Sequence, residues 1–192
     1  MRPLVLASTS RYRRELLERF GLPFVTDKPD TDETPLIGET PAATASRLAI
    51  AKARAVAERH PEALIIGSDQ VASVGDERFG KPGTVANAIA QLKTMRGRAI
   101  VFHTAVALLD TRTNETAVEL VPTEVAFRDL SDEEIVRYVE RELPLDCAGS
   151  AKSEALGITL LEHIRGDDPN ALVGLPLIAL ARLLRRAGVT LP

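Results

Sequence analysis

The chain has 192 residues but no tryptophan, one cysteine and an aromatic share of only 4%. Because Cys147 has no second cysteine to pair with, an internal disulfide is excluded, and the composition fits a reducing compartment. With so few aromatic rings, aliphatic side chains must fill the core. The hydrophobic share of 45% is enough to do so without disulfides or metal ions as staples.

The sequence also lacks a long apolar run and a positive net charge, and these two absences argue against membrane and nucleic-acid partners. No apolar run approaches the roughly 20 residues that a membrane span requires, and the apolar stretch before Ser8 is too short for a signal-peptide core. We therefore expect a cytoplasmic protein that does not bind membranes. The net charge is −3, whereas a non-specific nucleic-acid binder usually carries an overall positive charge, so nucleic acid is not an expected partner.

Short apolar segments alternate with helix signals along the chain, which predicts one α/β domain over residues 1–192 with a mixed sheet. Ser131 with Glu134 forms a capping box that predicts the start of one helix. Helices are predicted near 11–20, 41–60, 85–97, after 131 and at 175–186, and strands at 3–7, 63–67, 99–109, 116–128 and 157–164. The runs 99–109 and 116–128 are predicted to pair as a hairpin.

The segment after the first predicted strand has the features of an anion site. Ser8 and Ser10 lie where the strand leads into a helix N-terminus, whose free N–H groups and dipole favour negative charge. Arg13 and Arg14 in the first turn face an unfavourable dipole unless a phosphate lies between them and the helix end. They are about 100° apart on the helix, so only one is expected to face the site. The alternative is a solvated basic turn.

Asp69 follows the buried apolar run 63–67, within the triplet 68–70 (SDQ) that is predicted to leave the strand at its carboxyl end. Ligands of open α/β sheets bind outside such ends. A buried carboxylate without a partner is costly, and a metal, a lysine or a reacting water would supply one. Asp69 is therefore a candidate general base or metal ligand, with a capping role in a turn as the alternative.

Two lysines and an acidic loop complete the candidates. Lys52 lies in an alanine-rich helix, and Lys81 lies between a glycine and a proline, so each could neutralise phosphate charge as a point cation. The loop 30–33 (DTDE) has carboxylates, and Mg²⁺ is commonly bound by one or two carboxylates together with substrate phosphates. An exposed helix lysine and an acidic surface loop are the alternatives. The chain has no Walker loop and no G-x-G-x-x-G, so a nucleotide must be held in another way.

Taken together, these segments resemble the Maf family of nucleotide pyrophosphatases. Each is short, but they occur in family order over residues 4–186, and the ordered set is specific. The matching segments are 6–10 (LASTS), Arg13, 15–17 (ELL), 32–33 (DE), 52–53 (KA), 67–71 (GSDQV), 80–82 (GKP), 148–149 (AG) and 170–176 (NALVGLP).

The resemblance implies a fold, a reaction and a set of residue roles. The fold would be a mixed elongated central sheet flanked by helices, with two lobes around a cleft, similar to inosine-triphosphate pyrophosphatases. The reaction would be hydrolysis of the α–β phosphoanhydride of a nucleoside triphosphate with a divalent metal, Mg²⁺ or Mn²⁺. The implied roles are Asp69 as proton acceptor, Glu33 with Asp69 at the metal, and phosphate contacts from Ser8, Arg13, Lys52 and Lys81.

Three positions bear on the base. Members that act on dTTP and UTP have Arg, Thr and Gln where this chain has Tyr12, Gln70 and Glu154, and the combination here resembles the subgroup that cleaves 7-methyl-GTP. N7-methylation makes guanine cationic, so an aromatic face would attract it by roughly 0.5–2 kcal/mol, and a carboxylate would accept hydrogen bonds from its N1–H and N2–H₂ edge. The chain departs from the pattern in having Tyr12 where we expect Trp more often.

Two rival hypotheses follow from the same resemblance. The reaction could act on dTTP, UTP or another non-standard nucleotide. Alternatively, the protein could be a nucleotide-binding regulator of septum formation without useful turnover, although intact Asp69, Lys52 and Lys81 argue against a pure binder. The family also suggests a homodimer.

Overall fold

The computed structural model describes residues 2–192 and has a seven-stranded mixed sheet flanked by helices. The strands are β1 (Leu4–Ala7), β2 (Val25–Asp27), β3 (Leu64–Val74), β4 (Glu77–Phe79), β5 (Ala99–Asp110), β6 (Glu115–Phe127) and β7 (Leu161–Gly166). The helices are α1 (Arg11–Glu18), α2 (Pro41–Ala55), α3 (Val85–Met95), α4 (Asp132–Glu142) and α5 (Leu177–Arg186). The predicted α/β class is confirmed.

The sheet has the order β2-β1-β3-β5-β6-β7, with β4 pairing to β3. β1 runs parallel to both β2 and β3, and the remaining neighbours are antiparallel. The sheet is elongated because β3, β5 and β6 have 11, 12 and 13 residues. The predicted hairpin is confirmed, since β5 and β6 pair from Ala99↔Ala126 to Asp110↔Glu115.

Side-chain caps set the helix starts that the sequence predicted. Thr40 and Thr84 accept hydrogen bonds from the N–H groups three residues ahead, at the starts of α2 and α3. Ser131 and Glu134 form both bonds of the capping box at α4. Each cap satisfies a backbone donor that the helix itself leaves unpaired, so these boundaries depend on local sequence alone.

Three boundary predictions were wrong. The triplet 68–70 does not leave the strand, because β5 pairs with β3 from Leu64 to Ser73 and keeps it extended past these polar residues. The predicted strand 157–164 begins as a 3₁₀ turn, Leu156–Leu160, and β7 starts only at Leu161, where pairing with β6 begins. α2 ends at Ala55 rather than near residue 60, and the short strands β2 and β4 were not predicted.

A gap in the sheet lies beside the middle of β3. β1 pairs with β3 only as far as Leu6↔Ile66, and β4 begins at Ala72↔Phe79. Residues 67–71 therefore have no strand neighbour on that side. Leu64 N–H donates to Pro3 O, and backbone groups alternate along a strand, so the N–H and C=O groups of residues 68 and 70 point into the gap.

Two hydrophobic clusters lie towards the two ends of the long strands and form the expected lobes. One includes Leu17, Ile66 and Leu180 under α1 and α5. The other includes Leu92 and Phe102 under α3 and α4. The gap beside β3 opens between these clusters, so a ligand bound there would contact both lobes.

Gly67 allows α2 to lie almost on the backbone of β3. A Cβ at this position would be 2.1 Å from Ala49 O and 2.8 Å from Ala53 N, closer than any real contact. The small residues of α2 complete the fit, since Ala45, Ala49 and Ala53 are fully buried. This close approach brings Lys52, next to Ala53, over the middle of the sheet.

We expect Gly67→Ala to destabilise the protein by roughly 1–3 kcal/mol or more, because the new methyl group overlaps main-chain atoms that cannot move independently. The measurement is the urea unfolding midpoint. Gly80→Ala is the control, since a Cβ there meets nothing within 4 Å. Equal midpoints for the two variants would contradict the close approach of α2 to β3.

Candidate active site

A cleft of about 820 Å³ opens at the gap beside β3. Its walls come from the loop between β1 and α1, the loop before α2, the loop after β4 and the segments 146–154 and 172–174. All nine predicted site residues line it. They are Ser8, Tyr12, Arg13, Glu33, Lys52, Asp69, Gln70, Lys81 and Glu154.

A buried lysine joins two carboxylates at the centre of the cleft. Lys52 Nζ lies 2.6 Å from Asp69 Oδ1 and 2.8 Å from Glu33 Oε1. The side chains of Lys52 and Asp69 are 7% and 8% exposed, whereas that of Glu33 is 58% exposed. Glu33 therefore covers a pair that is otherwise hidden from solvent. Asp69 Oδ2 accepts no hydrogen bond from residues 2–192, so it is available to a ligand or a water.

The two carboxyl groups are perturbed in opposite directions. Burial raises the pKa of Asp69, and the neighbouring charges of Lys52 and Arg13 only partly oppose it. Desolvation also disfavours the Glu33 carboxylate, but the hydrogen bond and charge of Lys52, with Lys81 and Arg13, outweigh it and lower the pKa of Glu33. Neighbouring carboxyl groups with separated pKa values are typical of acid–base sites.

Of the adjacent Arg13 and Arg14, it is Arg13 that faces the cleft. Its Nε donates to Gly174 O at 2.9 Å, and its Nη atoms donate to no acceptor within residues 2–192. Burial lowers the pKa of Arg13, against the charges of Asp69 and Glu33. Arg14 lies on the solvent side, where it pairs with Glu18 at 3.1 Å. The expectation that only one of the two arginines faces the site is confirmed.

The loop between β1 and α1 lies on the cleft as the anion-site hypothesis required. Ser10 is the N-cap of α1 and accepts from Arg13 N. Ser8 is buried, and its Oγ accepts from Ser10 N at 3.1 Å. This bond uses the hydroxyl oxygen as acceptor, so the Ser8 O–H is left to donate to a ligand.

Gln70 has a structural task that the sequence did not suggest. Its Nε2 donates to Thr104 Oγ1 at 2.9 Å and to the carbonyls of Ala171 and Leu172 at 3.0 Å each. The single hydrogen of Ser68 Oγ can be donated to the carbonyl of Gly174, in this segment, at 2.9 Å or to that of Ala105, on β5, at 2.8 Å. Gln70 thus has no amide hydrogen left for a base, and only its Oε1 can take part as an acceptor.

Asp69 points away from its two neighbours in the triplet. Successive side chains of a strand lie on opposite faces of the sheet. Asp69 accordingly meets Lys52 of α2, while Ser68 and Gln70 meet the segment 171–174. One stretch of β3 therefore anchors both walls of the cleft. The alternation of side chains along a strand would have predicted these opposite orientations if β3 had been predicted to continue past residue 67.

The far end of the cleft is built around Tyr12. Its hydroxyl lies 3.2 and 3.4 Å from the two carboxylate oxygens of Asp146, and the Arg11 guanidinium lies 4.8 Å from its ring centroid. Glu154 is exposed and lines the same end. Asp146 was missed by the sequence reasoning because nothing in its local pattern distinguishes it from a surface aspartate.

Glu39 is a second residue that sequence reasoning missed. Its carboxylate accepts from Arg47, Thr44 and the N–H of Leu36, and Arg47 also donates to Thr34 O. Arg47 is the main cause that lowers the pKa of Glu39 to about 2. These bonds tie the loop that carries Glu33 to α2. No short-range motif signals the network.

Cys147 also lines the cleft but is not an activated nucleophile. Burial raises the pKa of its thiol to about 12, so it is protonated at neutral pH.

Comparisons with known proteins show the family. The family described as "Maf-like protein" matches residues 3–187. The chain belongs to the Maf family. A relative named 7-methyl-GTP pyrophosphatase from Aromatoleum aromaticum is 69% identical over 98% of this chain and 97% of its own. A relative of the same name from Cupriavidus metallidurans is 57% identical over 96% of this chain and 93% of its own.

The likeness to a solved structure supports the fold of this Maf protein. A HAM1 protein from Coxiella burnetii matches it with a TM-score of 0.57 over 97% of this chain and 100% of the other, at 17% identity. The predicted elongated α/β architecture is thereby confirmed. Among the described residues, no helix is long and apolar enough to span a membrane. The predicted homodimer and cytoplasmic location stay predictions.

We expect an NMR titration of the Maf protein to show Asp69 with a pKa above the usual aspartate range, because burial disfavours its charged form. Lys52→Met should raise that pKa further, since the opposing positive charge is lost. Asp27 provides an internal control, because Arg59 and His60 lower its pKa to about 2. An Asp69 that titrates in the usual range in both proteins would contradict this electrostatic account.

Proposed function

We propose that this Maf protein hydrolyses 7-methyl-GTP to 7-methyl-GMP and pyrophosphate. The observation that carries the proposal is the separation of charge along one cleft. Arg13, Lys52 and Lys81 lie at one end, around the carboxylates of Asp69 and Glu33, and Tyr12 lies at the other end between the Asp146 carboxylate and the Arg11 guanidinium. A triphosphate fits the first end and a cationic base fits the second. The names of relatives 57% and 69% identical support the same reaction.

The basic end would hold the phosphates. Arg13 offers its Nη donors, Ser8 offers its hydroxyl, and exposed Lys81 adds a point charge from the loop after β4. Phosphoryl transfer requires mainly positioning of the phosphates and neutralisation of their charge. These groups come from three separate elements, so they would contact different oxygens of the triphosphate.

Asp69 would act as the general base for water. Its raised pKa brings it nearer to neutral pH, where a base is more effective, and Lys52 fixes its Oδ1 while Oδ2 is available to the water. The water oxygen forms a bond to the α-phosphorus and its proton passes to Asp69. The bond from the α-phosphorus to the bridging oxygen breaks, and pyrophosphate leaves with that oxygen.

A divalent cation, Mg²⁺ or Mn²⁺, fits the carboxylates that are present. No group of three or more His, Cys, Asp or Glu side chains within residues 2–192 would hold a metal by itself. Glu33 and Asp69, however, converge on Lys52 in one cleft, and Mg²⁺ typically uses one or two carboxylates plus substrate phosphates. A bound cation would supply charge neutralisation to the phosphates.

The other end of the cleft would select the base. Tyr12 presents an aromatic ring, for which a methylated guanine cation has an affinity that neutral guanine lacks. Glu154 would accept from the N1–H and N2–H₂ edge. Gln70 would contribute only through Oε1, since its amide hydrogens are used within the protein. All three would then act as partners of a cationic, donor-rich base.

The decisive experiment is a panel of 7-methyl-GTP, GTP, dTTP, UTP and inosine triphosphate with Mg²⁺ or Mn²⁺. We expect the highest kcat/KM for 7-methyl-GTP, with monophosphate and pyrophosphate as products. Asp69→Asn should lower kcat by about 10²–10⁴-fold, because the water loses its base. Highest kcat/KM on UTP or dTTP would instead favour the rival specificity, and nucleotide binding without pyrophosphate release would favour the regulator.

Adjacent arginines provide a matched control for the panel. Arg13→Gln should lower kcat/KM by about 10–100-fold, as expected for loss of a charged donor to phosphate. Arg14→Gln removes the same charge one residue away, on the solvent side, and should change kcat/KM by less than about twofold. Equal losses would show that general charge, rather than contact with phosphate, governs binding.

Glu154→Gln tests the base end separately. We expect the ratio of kcat/KM for 7-methyl-GTP to that for UTP to fall by about tenfold, which corresponds to roughly 1.4 kcal/mol of lost discrimination. Glu162→Gln, an exposed change on β7, is the control with the same loss of charge. If both variants keep the wild-type ratio, Glu154 does not select the base.

A further inference from the structure

Asp146 lies at the mouth of the cleft and links its two walls. It precedes the 3₁₀ turn Ala148–Ser150, and its carboxylate accepts a hydrogen bond from Tyr12, 134 residues earlier in the chain. The side chain is 59% exposed and lines the cleft, so the carboxylate is accessible to a ligand that binds there. No role for Asp146 follows from the phosphate chemistry described above.

The charges around Asp146 do not cancel. Lys152 Nζ is 3.9 Å from Asp146 Oδ1 but is nearer to Glu142, at 3.6 Å from its Oε1 and 3.3 Å from its carbonyl. Arg11 is the second cation at this end. Lys152 and Glu142 pair with each other outside the lining of the cleft, whereas Arg11, Asp146 and Glu154 line it. Around Asp146, two carboxylates and one guanidinium therefore face the cleft.

We propose that Asp146 is a specificity-determining residue that favours a cationic N7-methylated guanine over neutral guanine through its charge. The inference rests on the proposed function and adds a residue to it. A carboxylate attracts the cationic ring wherever the two lie within several ångströms, without a hydrogen bond to one particular atom. Because Asp146 is largely exposed, solvent screening limits the effect to about threefold to tenfold in the preference.

A positioning role through Tyr12 is the competing explanation, and two substitutions separate the two. Asp146→Asn removes the charge but keeps an oxygen that can accept from the Tyr12 hydroxyl. Tyr12→Phe keeps the ring and the Asp146 charge but removes the hydrogen bond to Asp146, together with the one that the hydroxyl accepts from Arg11. If the charge of Asp146 sets the preference, Asp146→Asn lowers it and Tyr12→Phe does not. If Asp146 acts by positioning Tyr12, Tyr12→Phe lowers it as well.

The experiment compares kcat/KM for 7-methyl-GTP and for GTP in each variant. We expect Asp146→Asn to lower the ratio by about threefold to tenfold and Tyr12→Phe to change it by less than about twofold. The control is Asp129→Asn, an exposed change outside the cleft with the same loss of charge, which should keep the wild-type ratio. An unchanged ratio in Asp146→Asn, or the same fall in Tyr12→Phe, would overturn the proposal.

The salt dependence of the wild-type ratio gives a second measurement that needs no variant. Attraction between Asp146 and a cationic base is screened, so the ratio should fall between 0.05 M and 0.5 M KCl, while a ratio independent of salt would overturn the proposal. Failure of the proposed function looks different. In that case the wild type releases pyrophosphate from neither 7-methyl-GTP nor GTP, or cleaves another nucleotide better than both.

Discussion

The buried ion pair between Lys52 and Asp69 is the interaction on which the rest of the site depends. It forms because Gly67 has no side chain. α2 can therefore approach the backbone of β3 closely enough for Lys52 to reach Asp69, two residues further along the strand on the same face. A carboxylate hidden in this way would be costly without a charged partner. Lys52 meets that need at one oxygen only. Burial still raises the pKa of Asp69, which leaves the other oxygen suited to accept a proton.

The gap in the sheet explains why a carboxylate that lines the cleft can lie in the middle of a strand. β5 holds β3 along one side, while the other side is uncovered between the end of β1 and the start of β4. Because successive side chains of a strand lie on opposite faces, Asp69 contacts α2, whereas Ser68 and Gln70 contact the segment 171–174. Because both faces are anchored from the same three residues, the two walls of the cleft keep a fixed separation, which favours a preorganised site.

Positive and negative side chains are distributed unevenly between the two ends of the cleft. Arg13, Lys52 and Lys81, from three elements, surround the end that holds Asp69, and the carboxylates of Asp146 and Glu154 outnumber the Arg11 guanidinium at the other. A nucleotide with a cationic base carries the complementary arrangement, negative at the phosphates and positive at the ring. The same cleft would thus orient such a nucleotide and discriminate against a neutral base, although the two ends are formed by different elements of the fold.

Local features of the sequence were sufficient for the helix caps, the β5–β6 hairpin, the Maf family and nine of the residues that line the cleft. These depend on neighbours within a few positions or on the order of short motifs. Only the tertiary structure decided that Asp69 lies in mid-strand, that Arg13 rather than Arg14 faces the cleft, that Gln70 holds the segment 171–174, and that Asp146 joins Tyr12. Those bonds connect residues 17, 101, 134 and 161 positions apart. No periodicity encodes such distances, because packing of whole elements determines which distant groups meet.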